Sequence, residues 1–241
     1  MAPFPRYAIY FTAPQGSDLD RFGAAHLGYD AWSGDELPFP KDVLQTVPDW
    51  HALTQDPRKY GFHATLKAPM ALADGKTEAE LLDACTVFAG APRAIPMIDP
   101  VVQSISGFIA VVPAQAPREL EQFAADCVGA FDGFRAPLTV DDRARRNPAK
   151  LTARQCDHLD RWGYPYVMEE FRFHMTLTGR LDATRREPIL AMLRDRFAQL
   201  RIERLAIDRI ALFKQDNEAA RFRIIGQWLL PASAGRSGTS S

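Results

Sequence analysis

Two histidines stand out because each lies in the same five-residue frame. The chain reads Phe-His-Ala-Thr-Leu around His63 and Phe-His-Met-Thr-Leu around His174, so that Thr65 and Thr176 follow the histidines at the same spacing. Residues i and i+2 of a β-strand project to the same face. If each frame forms a strand, each histidine shares a polar face with its threonine, while the neighbouring apolar side chains face the core.

These four side chains are the ones that cleavage of a phosphodiester requires. One imidazole can accept a proton from the nucleophile while the other protonates the leaving oxygen, because the ordinary histidine pKa of about 6.5 lies near neutrality. Threonine hydroxyls can donate to the non-bridging oxygens, which carry charge in the transition state. A single His-x-Thr on a strand is usually structural, but its repetition favours catalysis. The catalytic residues predicted are therefore His63, Thr65, His174 and Thr176, without a metal, and either histidine can be the acid or the base.

Four residues beside the motifs are candidates for binding substrate. Lys67 is in phase with the first motif and Arg172 with the second, so each can place positive charge beside a phosphate. Tyr60 and Tyr166 precede the two motifs and can stack on a base or sugar. The alternatives are solvated charges at a sheet edge for the cations and ordinary packing for the tyrosines.

A run of arginines lies farther from the motifs, at Arg143, Arg145 and Arg146. Such a run can reach a second phosphate on a substrate. Two aspartates directly precede it, however, and a run of this kind is usually a solvated loop.

The stretches RKYGFHATLKAP and EEFRFHMTLTGRL resemble the two-histidine (2H) phosphoesterase superfamily, and within it a bacterial subfamily associated with phosphonate metabolism. The resemblance extends over residues 6–230. It implies a bilobal, pseudo-twofold α+β fold, with two antiparallel sheets around a central groove and helices on the outer faces. It also implies a cyclic phosphodiesterase that opens a ribose-type cyclic phosphate, and the phosphonate association points to a phosphoribosyl sugar.

The pattern of apolar residues, caps and turns predicts the elements that must position the motifs. Strands are predicted at 6–13, 61–70, 97–103, 107–112, 171–179, 204–213 and 221–230, and helices after Ser17, after Thr77, from Pro117, from Asn147-Pro148 to Gly163, and over 184–200; residues 33–60 read as an irregular connection. Each motif strand is thus followed by a helix and two strands. We expect one bilobal domain over residues 1–230, with an insertion at about 133–168 and a disordered tail at 231–241.

The net charge, the cysteines and the motifs that the chain lacks argue against several classes of protein. The net charge of −1 disfavours, without excluding, a protein that grips nucleic acid through many phosphates, and it favours a small phosphorylated substrate. The three scattered cysteines predict neither disulfides nor a zinc site. Phosphate-loop, dinucleotide-binding and nucleophile-elbow motifs are not found, and no cofactor is expected. Without a signal peptide or a membrane-spanning segment, the chain is expected to be cytoplasmic; its oligomeric state stays open.

Two other functions remain open at this stage. The same pair of motifs suits an RNA or tRNA end-processing cyclic phosphodiesterase or ligase, which the near-neutral charge disfavours. The second is a non-catalytic accessory protein that binds phosphate or a nucleotide. The intact pairs of His and Thr argue against it, because a protein that has lost catalysis has no need to keep them.

Overall fold

The structure is a computed structural model, and it describes residues 3–233. Along the chain the elements are β1 (Arg6–Phe11), α1 (Asp18–Leu27), α2 (Lys41–Thr46), α3 (Trp50–Leu53), α4 (Gln55–Arg58), β2 (Ala64–Ala71), α5 (Glu78–Gly90), β3 (Met97–Ile98), β4 (Pro100–Ile105), β5 (Phe108–Pro113), α6 (Arg118–Phe131), α7 (Val140–Arg145), α8 (Ala153–Trp162), β6 (Met175–Thr176), α9 (Ala183–Ala198), β7 (Leu205–Ala206), β8 (Arg209–Gln215) and β9 (Arg223–Leu229).

These strands form two antiparallel sheets of unequal size. Seven strands associate in the order β4-β5-β6-β2-β1-β8-β9, and β3 pairs with β7 in a two-stranded sheet. The predicted α+β class with two antiparallel sheets is confirmed. Both motif strands belong to the larger sheet, in which they are direct neighbours near its centre.

The predicted internal repeat is present in the order of the elements. β2 is followed by α5, the short strand β3 and the hairpin of β4 and β5, and β6 is followed by α9, the short strand β7 and the hairpin of β8 and β9. In space, however, the hairpins exchange places, because β5 pairs with β6 while β8 pairs with β1 beside β2. β6 therefore borders the hairpin that follows the first motif, whereas β1 separates β2 from the hairpin that follows the second motif.

The two faces of the large sheet are packed differently. Tyr7, Ile9 and Phe11 of β1 belong to the main hydrophobic core, which also contains buried residues of α1, α5, α6 and α9. Ala8 and Tyr10, which alternate with them, belong to a smaller cluster on the opposite face. Since β1 pairs with β8 in regular register, this alternation of the two faces continues into β8. The second face is the one that carries the polar motif residues.

Local signals in the sequence set several helix ends. The hydroxyl of Ser17 accepts from the backbone of the first turn of α1, and Gly28 ends that helix in the left-handed region with φ of 66°. Thr77 and Glu80 form the predicted capping box of α5. The predicted apolar stripe of α6 is buried against the sheet.

The segment predicted as an insertion is folded and attached to the end of β2. Its backbone bonds to the sheet through two hydrogen bonds, from the amide of Ala73 to the carbonyl of Phe134 (2.9 Å) and from the amide of Ala136 to the carbonyl of Ala71 (2.9 Å). Farther along, Arg143 of α7 bonds Asp160 of α8 at 2.7 Å. The two backbone bonds hold the start of the insertion at the end of β2, whereas the exposed bond between Arg143 and Asp160 joins two helices within the insertion.

Some predicted boundaries are wrong. β2 begins only at Ala64, and the strand predicted at 171–179 is limited to Met175–Thr176. The helix predicted from Asn147-Pro148 is a short 3₁₀ turn, and α8 starts after Thr152, which forms its own capping box with Gln155. The connection at 33–60 contains three short helices.

The predicted disordered tail falls partly on described residues. Backbone hydrogen bonds join Arg93 to Pro231 and to Ser233, so residues 231–233 are held against the protein. Residues 234–241 lie outside the described part of the chain.

Candidate active site

The two motifs meet across the junction between β2 and β6. Ala64 pairs with Met175 in antiparallel register, and both side chains are buried in the main core. Extending this register by one residue in each direction places His63 opposite Thr176 and Thr65 opposite His174. Because neighbours of a core-facing pair project to the other face, the four motif residues form a square on the open face of the sheet. Diagonal neighbours in such a sheet lie about 7–8 Å apart, which leaves room for a phosphoryl group between the imidazoles.

Both histidines are held by the same local hydrogen bond. Nδ1 of His63 lies 2.9 Å from the carbonyl oxygen of Gly61, and Nδ1 of His174 lies 2.7 Å from that of Arg172. A carbonyl only accepts, so Nδ1 carries the proton in each ring and Nε2 is left to face the site. The same bonds occupy the carbonyls of residues 61 and 172.

Burial keeps both imidazoles neutral. It lowers the pKa of His63 to about 4, despite the opposing effect of the hydrogen bond that His63 donates to the carbonyl of Gly61, and the nearby His174 adds to the decrease. Burial also lowers the pKa of His174. Nε2 of His63 lies 3.4 Å from the Thr65 hydroxyl, which can donate to it. In the free protein, therefore, both histidines present unprotonated Nε2 atoms to the site.

Aromatic rings that the sequence analysis did not identify surround the histidines. The ring of Tyr10 stacks on His63 with centroids 3.8 Å apart, and Phe108 lies 5.6 Å from the ring of His174. Tyr10 pairs with Thr65 across β1 and β2, so the register of the two strands brings it to the site. No local pattern marks it, because every residue of β1 after Arg6 is buried.

Lys67 does not contact the motif residues, and its predicted role as a phosphate ligand is wrong. The register between β1 and β2 shifts between Tyr10 and Ile9, so that Lys67 pairs with Ile9 of the main core. This bulge interrupts the alternation on which the prediction rested. The ammonium of Lys67 is buried, bonds the carboxylate of Asp132 at 2.5 Å and contacts the carbonyl of Val128 at 3.4 Å. Lys67 therefore fastens β2 to the end of α6.

The other three predicted binding residues differ in their distance from the histidines. Tyr60 lies beside the first motif, with its ring centroid 6.0 Å from that of His63. Arg172 is exposed and holds His174 through its backbone carbonyl, so its side chain is free to turn toward a ligand. Tyr166 is 47% exposed and packs against Tyr164 of the insertion at 5.6 Å. A substrate role for these three residues stays a prediction.

The described residues offer neither a cluster of metal ligands nor a membrane-spanning helix. Among residues 3–233, no group of three or more His, Cys, Asp or Glu residues is arranged to hold a metal ion. Over the same range, none of the helices has the length and apolar character required to cross a membrane.

A family model described as "Protein of unknown function (DUF1045)" matches residues 65–223. This match covers more than half of the chain. The protein belongs to the DUF1045 family. The matched stretch begins at Thr65 and includes the whole of the second motif, whereas His63 lies just before it.

Two named relatives are longer than this chain. A ribose 1,5-bisphosphate phosphokinase PhnN of Janthinobacterium sp. (strain Marseille) is 41% identical over 178 residues, which are 73% of this chain and 39% of the relative. The protein of the same name from Laribacter hongkongensis (strain HLHK9) is 31% identical over 231 residues, or 95% of this chain and 53% of the relative. The chain thus spans about half of these relatives or less.

Two solved structures align with most of this chain, but with low TM-scores. A crystal structure of E. coli LigT complexed with 3'-AMP covers 94% of this chain and 98% of its own, with 14% identity and a TM-score of 0.38. A conserved protein of unknown function from Agrobacterium tumefaciens str. C58 covers 92% of this chain and 84% of its own, with 12% identity and a TM-score of 0.43.

Proposed function

We propose that the protein is a metal-independent phosphoesterase that hydrolyses a cyclic phosphodiester through His63 and His174. The observation that carries this proposal is the antiparallel pairing of Ala64 with Met175, which gathers both histidines and both threonines on one open face. Two imidazoles with unprotonated Nε2 atoms on opposite corners of the square can act on opposite sides of one phosphorus atom. The threonine hydroxyls occupy the other two corners, where they can donate to the non-bridging oxygens.

In this reaction a water oxygen attacks phosphorus, and the bond from phosphorus to one ring oxygen breaks. One imidazole takes a proton from the water, and the other gives a proton to the departing sugar oxygen. The products are a phosphomonoester and a free hydroxyl. The protons transferred balance, and no metal is required to supply either one.

We assign His63 as the base and His174 as the acid. The pKa of His63 is lowered to about 4, so that it is unprotonated near neutral pH and ready to accept a proton. His174 must be protonated to act as the acid, although burial lowers its pKa too. A bound phosphodiester anion raises the pKa of both neighbouring imidazoles, so substrate binding itself promotes the protonation that His174 requires as the acid.

For the substrate we propose a ribose cyclic phosphate that carries a further phosphate. Two relatives are named for ribose 1,5-bisphosphate, a doubly phosphorylated sugar. Opening a 1,2-cyclic phosphate on a 5-phosphorylated ribose at the bond to O2 gives this sugar. The kinase part of the relatives' name does not fit this chain, because residues 75–77 read Gly-Lys-Thr but Met70 stands where a phosphate loop has its first glycine.

The test is turnover of a panel of cyclic phosphates followed by phosphorus NMR. The panel contains a 5-phosphoribosyl 1,2-cyclic phosphate, a mononucleotide 2′,3′-cyclic phosphate and an RNA that ends in a cyclic phosphate. We expect the first to be opened fastest, with unchanged rates in the presence of EDTA. Preference for the RNA would instead support end processing, and binding without turnover across the panel would support an accessory role.

Variants test the assignment of the histidines. We expect His63→Ala and His174→Ala each to lower turnover by about 10²–10⁴-fold, the usual range for a general acid or base. His51→Ala is the matched control, because His51 is exposed and lies outside the square. Near-normal turnover in either folded motif variant would refute the mechanism.

A further inference from the structure

A cationic cavity lies beside the proposed active site. It has a volume of about 340 Å³ and is enclosed by the start of the chain, the end of β2 and the insertion. Five cationic residues and two acidic residues line it: Arg6, Lys59, Arg135, Arg145 and Arg146, with Asp142 and Glu218. The volume lies within the range of about 300–1,000 Å³ for small-molecule sites. The four motif residues do not line it.

Arg6, Arg145 and Arg146 differ in how far carboxylates already neutralise their charge. Within residues 3–233, neither Arg6 nor Arg146 forms an ion pair with a carboxylate; Arg6 bonds the amide oxygen of Gln215, and Arg146 lies over the ring of Tyr164 at 5.0 Å. Arg145 pairs with Asp142, the residue that precedes it by one turn of α7. The remaining two cations are occupied. Arg135 bonds Asp132, and Lys59 donates to the carbonyl of Glu218.

The guanidinium groups are close enough to repel one another. Burial lowers the pKa of Arg6, and the positive charges of Arg145 and Arg146 lower it further. Arg6 comes from the first strand, whereas the other two come from the insertion. Several cations gathered from distant parts of a chain around a cavity, with few carboxylates to neutralise them, constitute a site for an anion.

The cavity is connected to the first histidine by Tyr60. This tyrosine lines the cavity, and its ring centroid lies 6.0 Å from that of His63. Arg6 projects to the same face of β1 as Tyr10, which stacks on His63. Arg6 and Tyr10 are four residues apart, and therefore about 13 Å apart along the strand at a rise of about 3.3 Å per residue. Side chains of arginine length shorten this separation to one that a small molecule can span.

We propose that Arg6, Arg145 and Arg146 bind a second, non-reacting phosphate group of the substrate. The inference rests on the proposed function and specifies its substrate class: a small sugar that carries a cyclic phosphodiester at one end and a phosphomonoester at the other. The cyclic phosphate lies between the histidines, Tyr60 covers the sugar, and the phosphomonoester enters the cavity. The insertion thereby selects for doubly phosphorylated substrates.

The first test compares two substrates that differ only in the distal phosphate, a ribosyl 1,2-cyclic phosphate with and without a 5-phosphate. We expect Arg6→Gln and Arg146→Gln to lower kcat/KM for the phosphorylated substrate by about 10- to 100-fold, the effect of losing a charged hydrogen bond, and for the other substrate by less than threefold. Arg143→Gln is the matched control, since Arg143 lies in α7 three residues before Arg146, bonds Asp160 and does not line the cavity. Equal effects of Arg146→Gln on both substrates would overturn the proposal.

A second test does not depend on turnover. The affinity of ribose 5-phosphate is measured by calorimetry for the unsubstituted protein and for the Arg146→Gln and Arg143→Gln variants; Arg146 is exposed, so that its substitution leaves folding intact. We expect at least tenfold weaker binding in the first variant alone. If neither cyclic substrate is opened, the proposed function fails, while this measurement still decides on the phosphate site. Equal affinity in all three proteins would exclude the site.

Discussion

The low pKa of His63 gives a prediction about acid stability. In the folded protein burial lowers this pKa to about 4, whereas the unfolded chain has the ordinary value of 6.5. As the pH falls below 6.5, the unfolded state binds a proton that the folded state still excludes. The contribution of His63 to stability is therefore complete above pH 6.5 and is lost progressively as the pH falls toward 4.

The size of this effect follows from the difference between the two pKa values. One pKa unit corresponds to about 1.36 kcal/mol, so the shift of His63 is worth at most about 3 kcal/mol. His26, which is buried and has a pKa lowered to about 4 mainly by burial, contributes a loss of similar size. Substituting His63 removes only the loss of stability at low pH that is due to His63, and the loss due to His26 remains.

The measurement is urea denaturation of the unsubstituted protein and of His63→Gln at pH 7.5 and pH 4.5. Between these pH values we expect the free energy of unfolding to decrease by about 2–3 kcal/mol more in the unsubstituted protein than in the variant. His51→Gln is the control and should behave as the unsubstituted protein does. Parallel losses in the unsubstituted protein and the His63 variant, or an NMR titration of His63 near pH 6.5, would refute the argument.

Two further predictions concern contacts that hold the site in place. Asp132→Asn leaves the buried ammonium of Lys67 without its carboxylate and should lower the free energy of unfolding by about 3–5 kcal/mol; Asp160→Asn, which breaks an exposed pair with Arg143, should cost less than about 1 kcal/mol. Equal losses in the two variants, measured by urea denaturation, would contradict this. Thr77→Ala removes the cap of α5 and should cost about 1 kcal/mol in the same assay, and an unchanged midpoint would show that the cap is dispensable.

Much of the local structure could be predicted from the sequence. The caps at Ser17 and Thr77 and the buried stripe of α6 depend on contacts within a few residues, and they occur where the pattern predicts them. The repeated motifs likewise predicted which four polar side chains share faces. Alternation failed where a non-local contact intervened, as at Lys67, where a bulge against β1 shifts the register.

Residues contributed by distant segments could not be found in this way. Tyr10 reaches His63 only because β1 pairs with β2, and Arg6 meets Arg146 only because the insertion folds back over the end of the sheet. Neither residue belongs to a pattern with a short period. Tyr10 and Arg6 therefore carry no signal in a single sequence, whereas Arg145 and Arg146 belong to the arginine run that the sequence does show.

The sequence by itself determined the pair of His-x-Thr motifs, their polar faces and the order of the elements around them, because these depend on spacing along one strand or helix. Only the tertiary structure decided that the two motif strands are adjacent, that their following hairpins exchange sides, and that burial lowers both histidine pKa values. The physical reason is that strand partners and burial are set by packing between segments far apart in the sequence, such as those that carry His63 and His174.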